Sequence, residues 1–408
     1  MAATSTNHSV LLTAAKVAAP FDKEVRESLK QLDRPPTLVA ILSTSSSASR
    51  TYANFAKSQC DNLGVKFVLK EVGAGRWKEE DEGPKSKEFG AEGEGVEEAI
   101  VEANEDDECD GILVFYPIFG GRQDHYLQQL VSPFKDVEGL HYKWHYNMYH
   151  NIRFVDPNLL NSTNTVLPPT PVQANDIPPS GTLKSILPCT PLAIIKCLEH
   201  AGVYNQLLKY GDRAFGKTVT VINRSEVVGR PLAALLANDG ARVFSVDIDS
   251  IQEYTKRPKV VSPTKEEEVA SDETTKRPQK RMFHPSHIVQ GCKVTLEECL
   301  ALSDVVVSAV PNVKYKVSTD ALKDGCIAVN VAGEKNFEES VREKVIIVCI
   351  AILQVTSLMV LGINLPSSGG QSDDLDAPPK PYTFGQVSGG TKGFNIPATT
   401  SIDVVGGP

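Results

Sequence analysis

The sequence predicts an α/β protein with two domains, each built around a parallel β-sheet. The prediction rests on the length of 408 residues, on apolar strand patterns that alternate with helical patterns, and on a β-α-β unit of about 30 residues in the second half. The length suits two or three domains at roughly 150 residues each. Hydrophobic residues make up 41% of the chain and charged residues 23%, which is typical of a globular protein with a sizeable core.

The first half alternates helical and strand patterns, which indicates a parallel sheet covered by helices. Its predicted elements are a helix at 21–33, a strand at 37–42, a helix at 49–63, a strand at 65–72, a strand at 110–116 and a helix at 123–131. Gly64 follows the second helix at a position where glycine commonly ends helices. The acidic, glycine-rich residues 73–108 are expected to form a solvated loop and an exposed helix. We predict that residues 1–155 form this first domain.

The second half contains the β-α-β unit. Its elements are a strand at 217–222, a turn at 223–225, a helix at 226–238 and a strand at 241–246. The G-x-G-x-x-G motif is absent, and only Gly229 lies near the helix start, where a missing side chain permits close approach of backbone or ligand. The amides at this helix start would attract a pyrophosphate. With further strands at 304–310 and 326–331, the unit predicts a Rossmann-type domain over residues 181–345.

Asp247 lies at the carboxyl end of the second strand of this unit, 18 residues after Gly229 (247 − 229 = 18). A carboxylate there can accept hydrogen bonds from the ribose hydroxyls of NAD, and it would repel the additional phosphate of NADP. The alternative is a loop aspartate that caps the following turn, residues 248–250. Residues 308–310 end the next predicted strand, where ligands of such sheets bind. The alternative there is an ordinary core strand.

The composition argues against several classes of protein. The formal net charge is −9, whereas a protein that binds nucleic acid needs a basic face. The eight cysteines are scattered, without a C-x-x-C pair or a neighbouring histidine cluster. This indicates free thiols in a reducing, cytoplasmic compartment, and neither disulfides nor a metal site. Residues 1–20 lack the features of a secretion signal.

Three segments are predicted to differ from the domains around them. Residues 156–180 form a flexible insertion rich in Pro, Asn, Ser and Thr, and residues 257–281 form a mobile insert within the Rossmann-type domain. The divergent C-terminal segment 346–408 is expected to be largely irregular after residue 363. The uncharged run 345–363 is either a membrane span or, as we favour, a buried strand that continues into a buried helix.

Four motifs together resemble those of a known family. They are Tyr52, the K-D-V-E-G run at 135–139, the Pro-Cys-Thr-Pro turn that contains Cys189, and the R-S-E-V-V-G-R-P run at 224–231. Their order and spacing are similar to those of the methylenetetrahydrofolate dehydrogenase family, over roughly residues 20 to 340. The sequence around Gly229 resembles the monofunctional, NAD-dependent fungal branch of that family.

The resemblance implies an N-terminal α/β catalytic domain that binds folate, a Rossmann-type NAD-binding domain, and a cytoplasmic homodimer in one-carbon metabolism. In the substrate site, Tyr52 would stack on the pterin, Phe115 would lie near it, and Glu138 would replace the family's pterin-binding aspartate. The implied cofactor-binding residues are Arg224, Ser225, Gly229, Asp247, Ile248, Ser308, Ala309 and Val310. Cys189 is the candidate catalytic residue, which would contact substrate or gate activity. The alternative is an inert, packed cysteine.

The implied reaction is hydride transfer from 5,10-methylenetetrahydrofolate to NAD, without cyclohydrolase activity. Bifunctional relatives carry a lysine four residues after the tyrosine, where this chain has Ala56, and a glutamine at the position of Phe115. Lys57 is one position too late, since one residue rotates a helical side chain by about 100°.

The family's P-x-x-G-K-V-T turn is altered at Leu353 and Gln354. A catalytically impaired folate- or NAD-binding homologue is therefore an alternative, and a membrane-anchored scaffold is a third interpretation.

Overall fold

The computed structural model describes residues 9–77, 90–160, 179, 181–258 and 285–350. The predicted insertion at 156–180 is described only at its two ends, and the insert at 257–281 only at Arg257 and Pro258. The chain after Ile350, which includes the altered positions Leu353 and Gln354, lies outside the described residues.

The described residues form strands and helices that overlap the elements predicted within the described ranges, while the helix predicted in the second part of the run 345–363 lies outside the described residues. The strands are β1 (Val10–Thr13), β2 (Thr37–Leu42), β3 (Lys66–Glu71), β4 (Gly111–Val114), β5 (Phe154–Val155), β6 (Leu183–Lys184), β7 (Thr218–Ile222), β8 (Arg242–Val246), β9 (Ile251–Lys256), β10 (His287–Cys292), β11 (Val305–Ser308), β12 (Ile327–Asn330) and β13 (Ile347–Ile350). The α-helices are α1 (Ala14–Leu29), α2 (Ser47–Leu63), α3 (Val96–Glu105), α4 (Arg122–Leu130), α5 (Tyr142–Tyr149), α6 (Pro157–Leu160), α7 (Cys189–His200), α8 (Gly229–Asn238), α9 (Leu296–Leu302) and α10 (Val341–Lys344).

The first domain contains a three-stranded parallel sheet in the order β3-β2-β4. All six residues of β2 are buried, because helices cover both faces of the sheet. One face packs against α1 and α2 through Val25, Ala53 and Ala56, and the other packs against α3 and α4 through Ile100 and Leu127. This arrangement confirms the α/β class and directs the carboxyl ends of β2 and β4 to the same edge of the sheet.

The second sheet has eight strands in the order β1-β13-β12-β11-β7-β8-β9-β10. The strands from β1 to β8 in this order are parallel, while β9 runs antiparallel to both β8 and β10. The chain leaves β7 toward β8 on one side and later returns to β11 on the other, so the strand order reverses between β7 and β11. Ligands of open α/β sheets bind at such a topological switch point, which confirms the Rossmann-type prediction.

Two domain boundaries predicted from the sequence differ from the structure. β1 lies within residues 1–155, yet it pairs in parallel with β13, so this strand belongs to the second sheet. β13 itself lies beyond residue 345, so the second sheet continues into the segment predicted as divergent. Both differences arise because strand pairing joins distant parts of the chain, which no local pattern records.

The run at 345–363 is described only as far as Ile350, and Ile347–Ile350 form β13. This agrees with the strand that we favoured for the start of the run. None of the helices in the described ranges combines the length and the apolar character needed to cross a membrane.

Candidate active site

α2 carries Tyr52 on the side that faces the first sheet. Ser46 begins the helix, and its hydroxyl accepts a hydrogen bond from the Ser49 N–H at 3.3 Å. The rings of Tyr52 and Phe115 meet edge to face, with centroids 5.6 Å apart and planes at 87°. Cys189 belongs to the same hydrophobic cluster. The structure therefore brings together three predicted site residues from α2, the end of β4 and the start of α7.

Asp136 organises the loop that presents Glu138. Its buried carboxylate accepts hydrogen bonds from the N–H groups of Glu138, Gly139 and His141 at 3.0, 2.9 and 2.8 Å. The Glu138 carboxyl group in turn accepts the N–H of Val114, the last residue of β4, at 3.2 Å. Glu138 is thus held at the carboxyl end of β4. The sequence analysis missed Asp136 as a site residue, although it stands in the K-D-V-E-G run.

Burial raises the pKa values of both carboxyl groups in this loop. The pKa of Glu138 rises to about 8, because its side chain is desolvated and because the charge of Asp136 is near. Burial raises the pKa of Asp136 to about 6, and its backbone N–H partners limit the rise. At neutral pH, the loop therefore holds a charged Asp136 and a mostly protonated Glu138.

The turn after β7 approaches the segment after β11 at the switch point. Asn223 adopts a left-handed conformation with a φ of 86°, and its side-chain amide donates to the Ala309 carbonyl at 2.6 Å. The Ala309 N–H donates to the Ile222 carbonyl at 3.1 Å. The Ser225 hydroxyl accepts two N–H groups at the start of α8, at 3.2 and 3.4 Å, the second from Gly229. These bonds fix both walls of the crevice in which the sequence predicts the cofactor.

Gly229 allows this turn to fold tightly against α8. A Cβ atom at this position would lie 1.8 Å from the backbone oxygen of Asn223. We expect Gly229→Ala to destabilise the fold by about 1–3 kcal/mol, as overpacking does, and to weaken NAD binding. Thermal unfolding and calorimetric NAD titration measure both effects. The control is Gly291→Ala, where a Cβ atom would meet nothing within 4 Å, and equal behaviour of the two variants would contradict the prediction.

Arg224 is anchored to β8 and to the turn that follows it. Its guanidinium donates four hydrogen bonds to hydroxyl and carbonyl groups of Ser245 and Ser250, at 2.5–3.1 Å. Asp247 lies between these serines in the chain, with its carboxylate 4.0 Å from the guanidinium and its side chain 41% exposed. The carboxylate also accepts the N–H of Ile248, a residue that is itself exposed. Asp247 thus caps the turn, as the alternative prediction holds, and still presents a charged oxygen to solvent.

Ser308 lies at the predicted edge of the sheet, but its side chain is fully buried. Its hydroxyl donates to the Oδ1 atom of Asn336 at 3.0 Å, and the N–H of Val310 donates to the same oxygen at 3.0 Å. The Ser308 hydroxyl is thus already engaged within the protein. The Ser308 side chain supports the crevice wall, and contact between Ser308 and the cofactor stays a prediction. The sequence analysis missed Asn336, because it stands in a loop without a recognisable motif.

Known proteins with similar sequences cover both domains. Residues 12–138 match the model of the tetrahydrofolate dehydrogenase/cyclohydrolase catalytic domain, and residues 188–265 match that of the NAD(P)-binding domain. The chain is 39% identical over 357 residues to a methylenetetrahydrofolate dehydrogenase of Schizosaccharomyces pombe named for NAD(+), covering 87% of this chain and 92% of that protein. This chain belongs to the tetrahydrofolate dehydrogenase/cyclohydrolase family.

Further members of the family extend the similarity to solved structures. A methylenetetrahydrofolate dehydrogenase of Saccharomyces cerevisiae named for NAD(+) is 36% identical over 355 residues, covering 86% of this chain and 93% of that protein. The solved structure of the NAD-dependent S. cerevisiae enzyme superposes with a TM-score of 0.68 at 33% identity, covering 87% of this chain and 95% of that one. The structure of a Trypanosoma brucei dehydrogenase-cyclohydrolase (17% identity, TM-score 0.56, 87% and 95% covered) shows a shared fold alone.

This member of the tetrahydrofolate dehydrogenase/cyclohydrolase family has no lysine on the Tyr52 side of α2. Ala56 is fully buried one turn after Tyr52. Lys57 is about half exposed and pairs with Asp61 at 2.7 Å. Lys57 therefore lies on a different side of the helix from Tyr52, as the helix rotation predicted.

Cys189 is the candidate catalytic residue of this family member. The side chain is 8% exposed, and burial together with the nearby Glu138 raises the pKa of its thiol far above the usual range. A neutral thiol is a poor nucleophile. The catalytic role of Cys189 stays a prediction, which the burial restricts to contact between a neutral thiol and the substrate.

Proposed function

We propose that this protein oxidises 5,10-methylenetetrahydrofolate to 5,10-methenyltetrahydrofolate, with transfer of the hydride to NAD. The observation that carries the proposal is the exposed carboxylate of Asp247 at the end of β8, next to the switch point. A carboxylate in that place favours the free ribose of NAD over the phosphorylated ribose of NADP. The relatives from S. pombe and S. cerevisiae, which are named for methylenetetrahydrofolate and NAD(+), support the same assignment.

The residues of the two candidate sites fit the two ring systems that this reaction joins. Tyr52 and Phe115 offer an aromatic surface for the pterin, and Glu138 offers a carboxyl group for its polar edge. Gly229 permits the close approach of turn and helix that forms one wall of the nucleotide crevice. NAD, when bound, supplies the hydride acceptor.

Hydride transfer depends on positioning more than on a strong acid or base. The hydride leaves the methylene carbon with both bonding electrons, so the folate becomes a methenyl cation. The two rings must lie in contact, with water excluded from the space between them. The partly buried Tyr52 ring and the neutral Cys189 thiol suit this requirement, because neither adds a charge to the cleft.

We further propose that the protein lacks cyclohydrolase activity. Ala56 and Phe115 hold the positions where bifunctional relatives carry a lysine and a glutamine, and neither side chain transfers protons. The rate of hydrolysis of 5,10-methenyltetrahydrofolate, measured through the decrease of its absorbance, tests this point. A rate above that of the uncatalysed hydrolysis would contradict it.

Lys57→Ala is expected to leave the kcat and KM of the dehydrogenase unchanged. The substitution removes one exposed i,i+4 ion pair with Asp61 and should change the free energy of unfolding by no more than about 0.5 kcal/mol. Initial rates and thermal unfolding of the variant measure both quantities. A tenfold fall in kcat would show that Lys57 takes part in catalysis after all.

The main test is the growth of product absorbance with methylenetetrahydrofolate, with NAD and NADP compared. Turnover with NAD and little turnover with NADP would support the proposed function. A folded protein that binds NAD without turnover would support the alternative, a catalytically impaired homologue. That alternative rests on Leu353 and Gln354, which lie outside the described residues.

The proposal includes a cytoplasmic homodimer without nucleic-acid or membrane partners. The net charge of −9 and the scattered free cysteines support a protein of a reducing compartment with no affinity for phosphate backbones. The homodimer follows from the family resemblance alone. Light scattering of the purified protein and cell fractionation test these two points.

A further inference from the structure

Asn336 connects the two chain segments that meet beyond β11 and β12. It is fully buried, although it stands in a loop. Its backbone N–H donates to the Oδ1 atom of Asn330, the last residue of β12, at 2.7 Å. Its carbonyl accepts the N–H of Val317, which follows β11 in the chain, at 2.7 Å. The loop is thereby fixed to both neighbouring strands.

The side chain of Asn336 holds the residues that end β11. Its Oδ1 atom accepts the Ser308 hydroxyl and the Val310 N–H, each at 3.0 Å, and its Nδ2 atom donates to the Val310 carbonyl at 2.9 Å. From the side of β7, the amide of Asn223 donates to the Ala309 carbonyl at 2.6 Å. Two asparagines thus brace this short segment from opposite sides. The Asn336 position requires one acceptor and one donor on the same side chain, which an amide provides.

We propose that Asn336 is a positioning residue for hydride transfer, because it holds the backbone of residues 308–310 as the wall of the nicotinamide side of the NAD site. This inference rests on the proposed function. Asp247 marks the adenosine end of the nucleotide on the β8 side of the switch point, so the β11 side faces the nicotinamide end. The nicotinamide ring is the part that must meet the folate.

The wall contributes shape to the site and few free donors. The N–H groups of Ala309 and Val310 already donate within the protein, to Ile222 and to Asn336. NAD would therefore contact this segment mainly through its surface. A misplacement of about 1 Å in a reacting geometry lowers a rate by about 100-fold. The position of the segment, and hence the bracing by Asn336, should decide how well the rings meet.

Two serines at opposite ends of β11 provide a matched control. Ser303 precedes the strand and Ser308 ends it, and both are fully buried. The Ser303 hydroxyl bonds to the Thr220 hydroxyl at 2.7 Å and to the Cys299 carbonyl at 2.8 Å. Both serine-to-alanine variants lose buried hydrogen bonds, but only Ser308→Ala removes a contact with Asn336.

The decisive variant is Asn336→Asp. When its carboxyl group is protonated, it offers one donor and one acceptor, as the amide does. When it is ionised, it places lone pairs against the Val310 carbonyl. Burial raises the pKa of such a carboxyl group toward neutral pH. The affinity for NAD is measured by calorimetry on the full chain without folate. The KM for NAD and the kcat are measured with folate present. Both experiments run between about pH 6.5 and 9, and each value is compared with that of the wild type at the same pH.

We expect the affinity of Asn336→Asp for NAD to approach that of the wild type at the lowest pH. At the highest pH this affinity should be about tenfold weaker than that of the wild type. For Asn336→Ala, kcat/KM for NAD should fall by about 10- to 100-fold at every pH. Ser308→Ala should raise the KM for NAD, and Ser303→Ala should lower only the melting temperature. The proposal is wrong if the Asn336 variants keep wild-type affinity and kcat, or if the two serine variants change the KM for NAD equally. A wild type that binds NAD without turnover would instead contradict the proposed function, and the calorimetric affinities would still decide the role of Asn336.

Discussion

Asp247→Asn is expected to shift this protein from NAD toward NADP. We expect kcat/KM for NADP to rise by about 10- to 100-fold and that for NAD to fall by about tenfold. In the proposed role, the carboxylate would accept hydrogen bonds from the ribose hydroxyls and would repel a phosphate at the same place. The substitution also removes the negative charge that lies 4.0 Å from the guanidinium of Arg224. The cation would then face the additional phosphate of NADP.

The turn that carries Asp247 should tolerate this change. An asparagine accepts the N–H of Ile248 through its Oδ1 atom, as the aspartate does at 2.9 Å. Arg224 keeps its four hydrogen bonds to Ser245 and Ser250. The melting temperature should therefore stay close to that of the wild type, so that a change in nucleotide preference does not come from partial unfolding.

The control for charge is Asp249→Asn, which removes the same charge from the same exposed turn. Initial rates with each nucleotide, at fixed folate, give the ratio of the two kcat/KM values. If Asp249→Asn changes this ratio as much as Asp247→Asn does, the effect is one of general electrostatics. If Asp247→Asn leaves the ratio unchanged, Asp247 is only the cap of its turn and the ribose role is wrong.

The elements predicted correctly from the sequence are those whose signal lies within one segment. The apolar run of β2 is buried along its whole length. α2 ends at Leu63 and is capped by Gly64, whose φ of 91° is the left-handed conformation that glycine supplies at low cost. The predicted β-α-β unit is β7, α8 and β8, with its two strands parallel. In each case the periodicity or the terminating residue is local, so the sequence alone records it.

The features that the sequence did not predict depend on contacts between distant segments. β1 pairs with β13 from the opposite end of the described chain. The antiparallel pairing of β9 with β10 was missed because the insert at 257–281 separates the two strands in the sequence. Asn336 acquires a role only when the loop after β12 folds onto the end of β11. Tyr52 and Phe115 were identified through the family resemblance, and the structure shows that their rings are in contact.

Folate binding is expected to strengthen as the pH rises through about 8, because Glu138 must lose its proton to bind the pterin as a carboxylate. The polar edge of a pterin presents a ring N–H and an amino group, which are both donors and which pair best with an ionised acceptor. The free protein holds Glu138 protonated below its pKa of about 8. The kcat/KM for folate reports the titration of the free protein. It should therefore rise by at most about tenfold per pH unit below 8 and level off above.

The same titration acts on stability in the opposite direction. The pKa of Glu138 is raised on folding from its ordinary 4.5 to about 8, so the folded state holds more protons than the unfolded state between these values. The free energy of unfolding therefore decreases as the pH rises from 4.5 to about 8, and the loss is complete above that pH. Glu138→Gln removes the titration and keeps an acceptor for the Val114 N–H. Above pH 8 this variant should be more stable than the wild type, by on the order of 1–2 kcal/mol for a partly exposed group.

Glu138→Asp provides the control, because it keeps a titrating carboxyl group at the site. The measurements are kcat/KM for folate and urea unfolding, at the same series of pH values. We expect a flat kcat/KM profile and about a tenfold loss at high pH for Glu138→Gln, and a retained rise for Glu138→Asp. If kcat/KM of Glu138→Gln rises with pH as that of the wild type does, the titration belongs to another group. Asp136, with its pKa of about 6, is the nearest candidate. Because one proton both stabilises the empty fold and opposes substrate binding, the substitution must flatten both profiles together. A change in only one of them would mean that Glu138 is not the group that binds folate.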